Sequence, residues 1–405
     1  MIVFMPGVPY LRAEMPTATD RTSGPRERLY GLDLLRTLAI VSVIAWHLPR
    51  NVYPFPFRPA TWAGVDLFFV LSGFLIGSQL LRPYSKNLRP SYVDFALRRA
   101  FRIVPAFLVV LAAYSLIPQF REVPNIRPLW RFLTFTMNFG LDGRSEGAFS
   151  HGWSLCVEEH FYLLLPVVVL WFMRKPSFAR AWKLSAVIVL SGLALRAALW
   201  IHYIAPLPGF PITEYLKVIY YPTYNRLDGL LAGVVLAATR LFRPDYWTRI
   251  TAHGNLLLGV AVLVLGAALW ICQDMCSFWT ATLGYPLLAA GFAALVAASL
   301  SKNCVLSRYR LPGTTLGATL AYSTYLTHKE VMHLVQTYLG GIISLDGWVG
   351  LSVYCFSFVL FSTLLYLVIE RPFLSVRDLV LGRDQKSQML EIGKDAPAQT
   401  LAPID

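Results

Sequence analysis

The chain is 405 residues, 56% apolar and 15% charged, with a mean hydropathy of +0.53. Soluble domains carry about 25% charged residues, so an ordinary soluble globule is excluded. The net charge of +13 sits in short stretches between long apolar runs, as the positive-inside rule is written, so a lipid bilayer and no nucleic acid is the expected partner.

Ten apolar runs approach the roughly 20 residues that span a bilayer. They lie near 33–50, 62–81, 102–118, 154–173, 184–203, 219–239, 254–272, 278–299, 315–339 and 348–370. The expected fold class is therefore an all-α, polytopic membrane protein with about ten transmembrane helices. Residues 1–30 form a polar N-terminal tail without a usable signal-peptide core, 31–373 the transmembrane domain, and 374–405 a polar tail expected to be disordered. Arg12, Arg21, Arg26 and Arg28 precede the first run, and Lys and Arg recur in the even-numbered connections. Both termini are thus expected in the cytoplasm of a multi-pass inner-membrane protein. The third connection breaks the alternation with Arg121, Arg127, Arg131 and Arg144. Five Cys are too few for a disulfide framework. Cys272 and Cys276 share one turn and read first as free thiols.

Arg36 and His47 lie in the first run. Eleven helical steps of about 100° come within roughly 20° of three turns, so both share one face, about 16 Å apart along the axis. An Arg and a His on one apolar stripe are costly to insert and suggest a site with an anion-binding end and an acid–base end. By the expected topology, Asp66 at the start of the second run and Glu158 near the start of the fourth reach the depth of His47. A His acting as a base needs such a carboxylate to set its tautomer. Asp66 and Glu159 read equally as interfacial groups. Arg99 and Arg102, three apart on the third helix, are neighbours on one face. With Arg36 they form either a phosphate-binding mouth or a topological anchor. Arg226 and Asp228 are two apart, point in different directions, and must each find a partner on another helix. Arg196 reads as structural pairing, and His328 as structural or functional alike. Neither a metal-ligand spacing nor an internal repeat stands out.

These residues fall in seven segments: Arg36 through His47; residues 64–76, GVDLFFVLSGFLI; Arg99, Arg102, Ile103 and Pro105; Trp153 through Glu158 with Phe161 and Tyr162; Arg226, Asp228 and Leu230; Tyr322 through His328; and Glu370 to Phe373. In that order they resemble the acyltransferase-3 family of integral membrane acyltransferases, of the O-acetyltransferase type, over roughly residues 30–373. Where that family often has Trp before and Pro two after its late His, this chain has Thr327 and Glu330. Some relatives carry a further esterase-like domain, so here the chemistry is expected from the membrane part alone.

The resemblance implies transfer of an acyl group, commonly acetyl from acetyl-CoA, to a hydroxyl of an extracytoplasmic carbohydrate such as lipopolysaccharide or exopolysaccharide. On that reading Arg36, Arg99, Arg102 and Asp33 hold the acyl-CoA co-substrate. His47 is the base, oriented by Glu158 or Asp66, and Trp153, Ser154, Arg226, Asp228 and His328 face the acceptor. Direct attack on the thioester and a transient acyl-His47 both remain open. The rival reading is a secondary transporter or flippase for a lipid-linked sugar or acyl group, which also places charges at mid-membrane.

Overall fold

Backbone polar groups in a bilayer must be satisfied internally, and a helix does this within one segment. The computed structural model, which describes residues 29–52 and 58–394, consists of helices and the turns that join them. Ten long helices stand where the ten runs lie: α1 Tyr30–His47, α2 Gly64–Ser85, α3 Tyr92–Leu116, α4 Trp153–Met173, α5 Phe178–Leu199, α6 Asp228–Phe242, α7 Gly254–Ile271, α8 Tyr285–Ser299, α9 Thr314–Leu339 and α10 Gly347–Leu365. Among the described residues six segments are long and apolar enough to cross a membrane, so the protein is polytopic. The other four, α1, α3, α6 and α9, are shorter or more polar and carry Arg36, His47, Arg99, Arg102, Asp228 and His328.

Two expectations are corrected. The sixth run is not one helix over 219–239: a π turn at Leu216–Tyr220 gives way at Pro222 to the 3-10 turn Thr223–Asn225, and α6 starts only at Asp228. Pro222 has no N–H to donate and its ring clashes with the carbonyl four residues back, so the helix stops there. The described part of the tail expected to be disordered over 374–405 is instead helical: after a π turn at Tyr366–Glu370 the chain continues as α11, Arg371–Lys394. Elongating an existing helix needs no new nucleus, and Leu, Arg, Gln, Lys and Met favour it. Residues 1–28 and 395–405 lie outside the described residues.

The centre of the bundle is the crossing of α2 with α6, flanked by α8. A Cβ on Gly73 would come within 2.1 Å of the Leu230 carbonyl oxygen, and one on Gly233 within 2.2 Å of that of Val70. Only glycine permits this approach, the small-residue packing of membrane helices. α1 packs along α9, α9 along α10, and α7 along α8. The hydroxyl of Thr37 donates to the Thr314 carbonyl at 2.9 Å, so α1 and α9 begin side by side and run in parallel.

The arginines that broke the charge alternation have a structural use. Arg127 is buried in the α3–α4 loop, where its guanidinium donates to the carbonyls of Met137, Phe139 and Gly140 and pairs with Glu146 at 2.7 Å. Arg121 does the same for the carbonyls of Tyr114, Ser115 and Pro124. In that loop the Arg144 N–H donates to Asp142 at 2.9 Å and holds its carboxyl below the usual carboxylate range. All five cysteines are free, Cys272 and Cys276 included.

Candidate active site

Arg36 of α1 and Arg99 and Arg102 of α3 gather on the side of the bundle nearer Tyr30, each half-buried and each in the electrostatic reach of the others. Among the described residues none of the three forms an ion pair with a carboxylate. Asp33, a buried residue one turn before Arg36, is also within electrostatic range. The Arg99 guanidinium lies 5.0 Å from the ring centre of Tyr162. Guanidinium forks match phosphate oxygens, so a cluster of this kind can take a phosphate-bearing anion.

Glu158 belongs to this cluster, which corrects its expected place beside His47. Its carboxylate accepts from Ser72 at 3.0 Å and from Tyr162 at 2.5 Å, with Arg99 and Arg102 nearby. Its position five residues into α4 carries it about 7.5 Å below the helix start, and the side chain turns toward α2 and α3. Asp66 is likewise taken elsewhere. Its Oδ1 accepts from Arg226 at 2.9 Å, both side chains being almost wholly buried.

His47 faces other histidines instead. Its ring centroid is 4.8 Å from that of His328 on α9, and His328 is 4.8 Å from His151, which precedes α4. His47 Nδ1 bonds the Val43 carbonyl at 2.9 Å, His328 Nδ1 that of Tyr325 at 2.8 Å, and His151 Nε2 that of Leu326 at 3.1 Å. A carbonyl only accepts, so each of these nitrogens carries the hydrogen, and the other nitrogen of each neutral ring bears a lone pair. For His47 that is Nε2, the atom a general base uses. The Val43 carbonyl bonded to Nδ1 sets its tautomer. Among the described residues His328 Nε2 and His151 Nδ1 are buried without a hydrogen-bond partner.

Beside His47 and His151 opens a cavity of about 120 Å³ walled by Trp46, Trp62, Trp153, Tyr220, Tyr221 and Tyr325. Trp153 packs on Tyr220 at 4.8 Å and on Tyr221 at 5.4 Å. Behind this wall the buried Arg226 guanidinium lies 4.6 Å from the Tyr220 ring centre and 4.1 Å from that of Tyr285. Such cation–π contacts help hold the rings in place. The π turns at Leu216–Tyr220 and Thr280–Gly284 lie on this side, and π turns recur at functional sites.

The remaining expected contacts divide. Trp153 lines the cavity, whereas the Ser154 hydroxyl is used in a 2.6 Å bond to Tyr325. His328 is fully buried behind His47 and His151. Asp228 pairs with Arg196 at 2.8 Å, so Arg226 and Asp228 do take partners on different helices. Sequence reasoning passed over His151, although it stands two residues before Trp153, and it passed over Lys329, which bridges Glu122 at 2.8 Å and Ser150 at 2.9 Å. It also gave no role to Glu330, buried near Tyr114 and Glu122. Among the described residues no three His, Cys, Asp or Glu are arranged to hold a metal ion.

The model of the acyltransferase-3 family, described as an acyltransferase domain, matches residues 29–367. The chain belongs to this family. It is 33% identical over 229 residues to the peptidoglycan O-acetyltransferase OatA of Listeria monocytogenes, covering 52% of this chain and 34% of that protein. It is 25% identical over 364 residues to the O-acetyltransferase OatA of Staphylococcus aureus strain NCTC 8325, covering 85% of this chain and 57% of that protein. A putative O-acetyltransferase of S. aureus strain COL matches at 25% over 370 residues with the same coverage. The chain thus spans between a third and just over half the length of these relatives. No solved structure matches.

Proposed function

We propose that this acyltransferase-3 protein is a membrane O-acetyltransferase that moves acetyl from acetyl-CoA to a hydroxyl of a cell-envelope carbohydrate. The observation that carries the reading is the pairing of two unlike ends along α1. Arg36, Arg99 and Arg102 form a cluster of guanidiniums that, among the described residues, make no ion pair with a carboxylate, and His47 stands at the rim of an aromatic-walled cavity. CoA is a polyanion at one end of a long thin arm, with a thioester at the other. The arginines suit its phosphates, and about 16 Å of helix separates them from His47. Aromatic faces suit the apolar faces of a sugar ring, as they do other amphipathic ligands.

In the transfer, His47 Nε2 takes the acceptor hydroxyl proton while the oxygen attacks the thioester carbonyl. The carbon–sulfur bond breaks, and the proton passes to the departing thiolate, giving ester and free thiol. The Lys and Arg distribution supports a cytoplasmic arginine cluster and an extracytoplasmic His47. The likeness to a peptidoglycan O-acetyltransferase of Listeria supports a cell-wall glycan as acceptor class.

The test is a deletion strain against its parent, with envelope glycans compared by mass spectrometry, together with consumption of acetyl-CoA by the purified protein in nanodiscs. Loss of base-labile acetyl esters with acetyl-CoA-dependent transfer supports the reading. A transporter or flippase shows neither acetyl-CoA consumption nor transfer.

A further inference from the structure

The turn that leads into α4 carries a strained residue. Phe149 has φ +57° and ψ +24°, the left-handed region, where a bulky side chain is an outlier. Its ring is fully buried and stacks on Tyr114 at 4.8 Å and on Phe132 at 5.6 Å, so packing holds the backbone there. Strain of this kind persists only where the surroundings over-determine it, and it gathers at active sites. The next two residues, Ser150 and His151, both line the cavity that His47 borders. Both are also tied to α9, His151 through the Leu326 carbonyl and Ser150 through Lys329.

Ser150 is buried, and its Oγ accepts from Lys329 Nζ at 2.9 Å. Lys329 is in turn ion-paired with Glu122 at 2.8 Å. An ammonium has donors and no acceptor, so Ser150 keeps its own hydrogen. Among the described residues that hydrogen has no protein acceptor. The hydroxyl of Tyr325, in the same wall, is already given to the His151 carbonyl at 2.6 Å. Hydrogen bonds in series strengthen one another, so a charged donor on Oγ makes the Ser150 O–H a better donor toward the cavity.

We propose that Ser150 is a catalytic residue whose hydroxyl donates to the thioester carbonyl oxygen while negative charge builds on it. The proposal rests on the acetyltransferase reading above. As the acceptor oxygen bonds the carbonyl carbon, its proton goes to His47 Nε2 and the carbonyl π pair moves onto oxygen, where the Ser150 hydrogen bond meets it. The pair then returns, the carbon–sulfur bond breaks, and the proton passes from His47 to the thiolate. Ser150 keeps its proton throughout. Lys329 touches no reacting atom; it is a positioning residue that orients and polarises the hydroxyl. A donor aimed at developing charge in a buried site contributes more in the transition state than in the ground state, so its effect falls on kcat.

The test measures acetyl-CoA-dependent transfer by purified protein in nanodiscs to envelope glycan extracted from a deletion strain. Wild type is compared with Ser150→Ala, Ser150→Thr and Lys329→Gln, each confirmed as folded by its size-exclusion profile. Ser150→Ala is expected to lower kcat by about 10²- to 10³-fold, the usual worth of one oxyanion donor, with the KM for acetyl-CoA unchanged. Ser150→Thr keeps a hydroxyl and is expected to recover most of the rate. Lys329→Gln leaves the serine in place and is expected to lose about tenfold, in kcat alone. A Ser150→Ala enzyme as fast as wild type, a change confined to KM, or equal losses in the Ala and Thr variants overturns the role of the hydroxyl and leaves the acetyltransferase reading standing. So does labelled acetyl found on Ser150 after incubation with acetyl-CoA alone, which makes the residue a carrier. No transfer by wild type overturns both.

Discussion

Arg226 Nη2 lies 2.9 Å from Asp66 Oδ1, joining residues 160 apart in sequence across the interface of α2 with the segment that leads into α6. With Asp228 paired to Arg196, the two buried ion pairs tie α2, α5 and the turn before α6 into one unit behind the aromatic cavity. Neither pair faces a reacting group. Their work is to fix Trp153 and Tyr220 through the Arg226 guanidinium.

Removing one member of a buried pair strands the other, at a cost on the order of 3–5 kcal/mol, whereas replacing both with apolar groups is often neutral. Asp66→Ala is therefore expected to lower the melting temperature in detergent sharply. Asp66→Ala with Arg226→Met is expected to recover most of that loss. A double variant no more stable than the single one contradicts the pairing.

His47→Ala is expected to lower acetyl transfer by about 10²- to 10⁴-fold, the usual worth of a general base. The melting temperature should stay near wild type, because the side chain sits at the end of α1 rather than in a core layer. Turnover at the wild-type rate in the folded variant removes His47 from the chemistry.

Arg99→Ala and Arg102→Ala are each expected to raise the KM for acetyl-CoA by about tenfold or more, since a hydrogen bond to a charged group contributes roughly 1.5–3 kcal/mol. The KM for the acceptor should move little. The salt dependence of the acetyl-CoA KM should weaken as well, because exposed phosphate contacts are screened within about 8 Å at physiological ionic strength. If donor KM and salt dependence both hold still, the arginines serve as anchors alone.

Sidedness is checked by cysteine labelling in a Cys355→Ser background, because Cys355 is the exposed native thiol. Asn51→Cys, just beyond α1, is expected to label in sealed cells. Lys86→Cys, just beyond α2, is expected to label only after the membrane is opened. The reverse pattern turns the arginine cluster away from cytoplasmic acetyl-CoA and defeats the transfer model.

Helix positions were legible in the sequence because a bilayer leaves an apolar run little other choice. The partners of single polar residues were legible only in part. Spacing showed that Arg226 and Asp228 had to look in different directions, and they do. Depth alone suggested that Glu158 and Asp66 meet His47, but depth says nothing about which way a side chain turns around its helix. Glu158 turns to Ser72 and Tyr162, and the neighbour of His47 comes from α9, whose parallel course beside α1 no local pattern encodes. Motifs far apart in the chain do converge: Tyr322 donates to the Ile103 carbonyl at 2.7 Å, and Ser323 to Glu370 at 2.9 Å. Pairings of that kind require the folded bundle.

The glycine crossing of α2 and α6 sets a limit on how the protein breathes. With the Gly73 and Gly233 backbones in direct contact, there is no side chain between the helices to change rotamer and let them slide. Close-packed surfaces of this kind move as one rigid body. Any widening that admits donor or acceptor must then come from less enclosed elements such as α5, whose single buried residue is Arg196, while the central crossing stays fixed as the fulcrum.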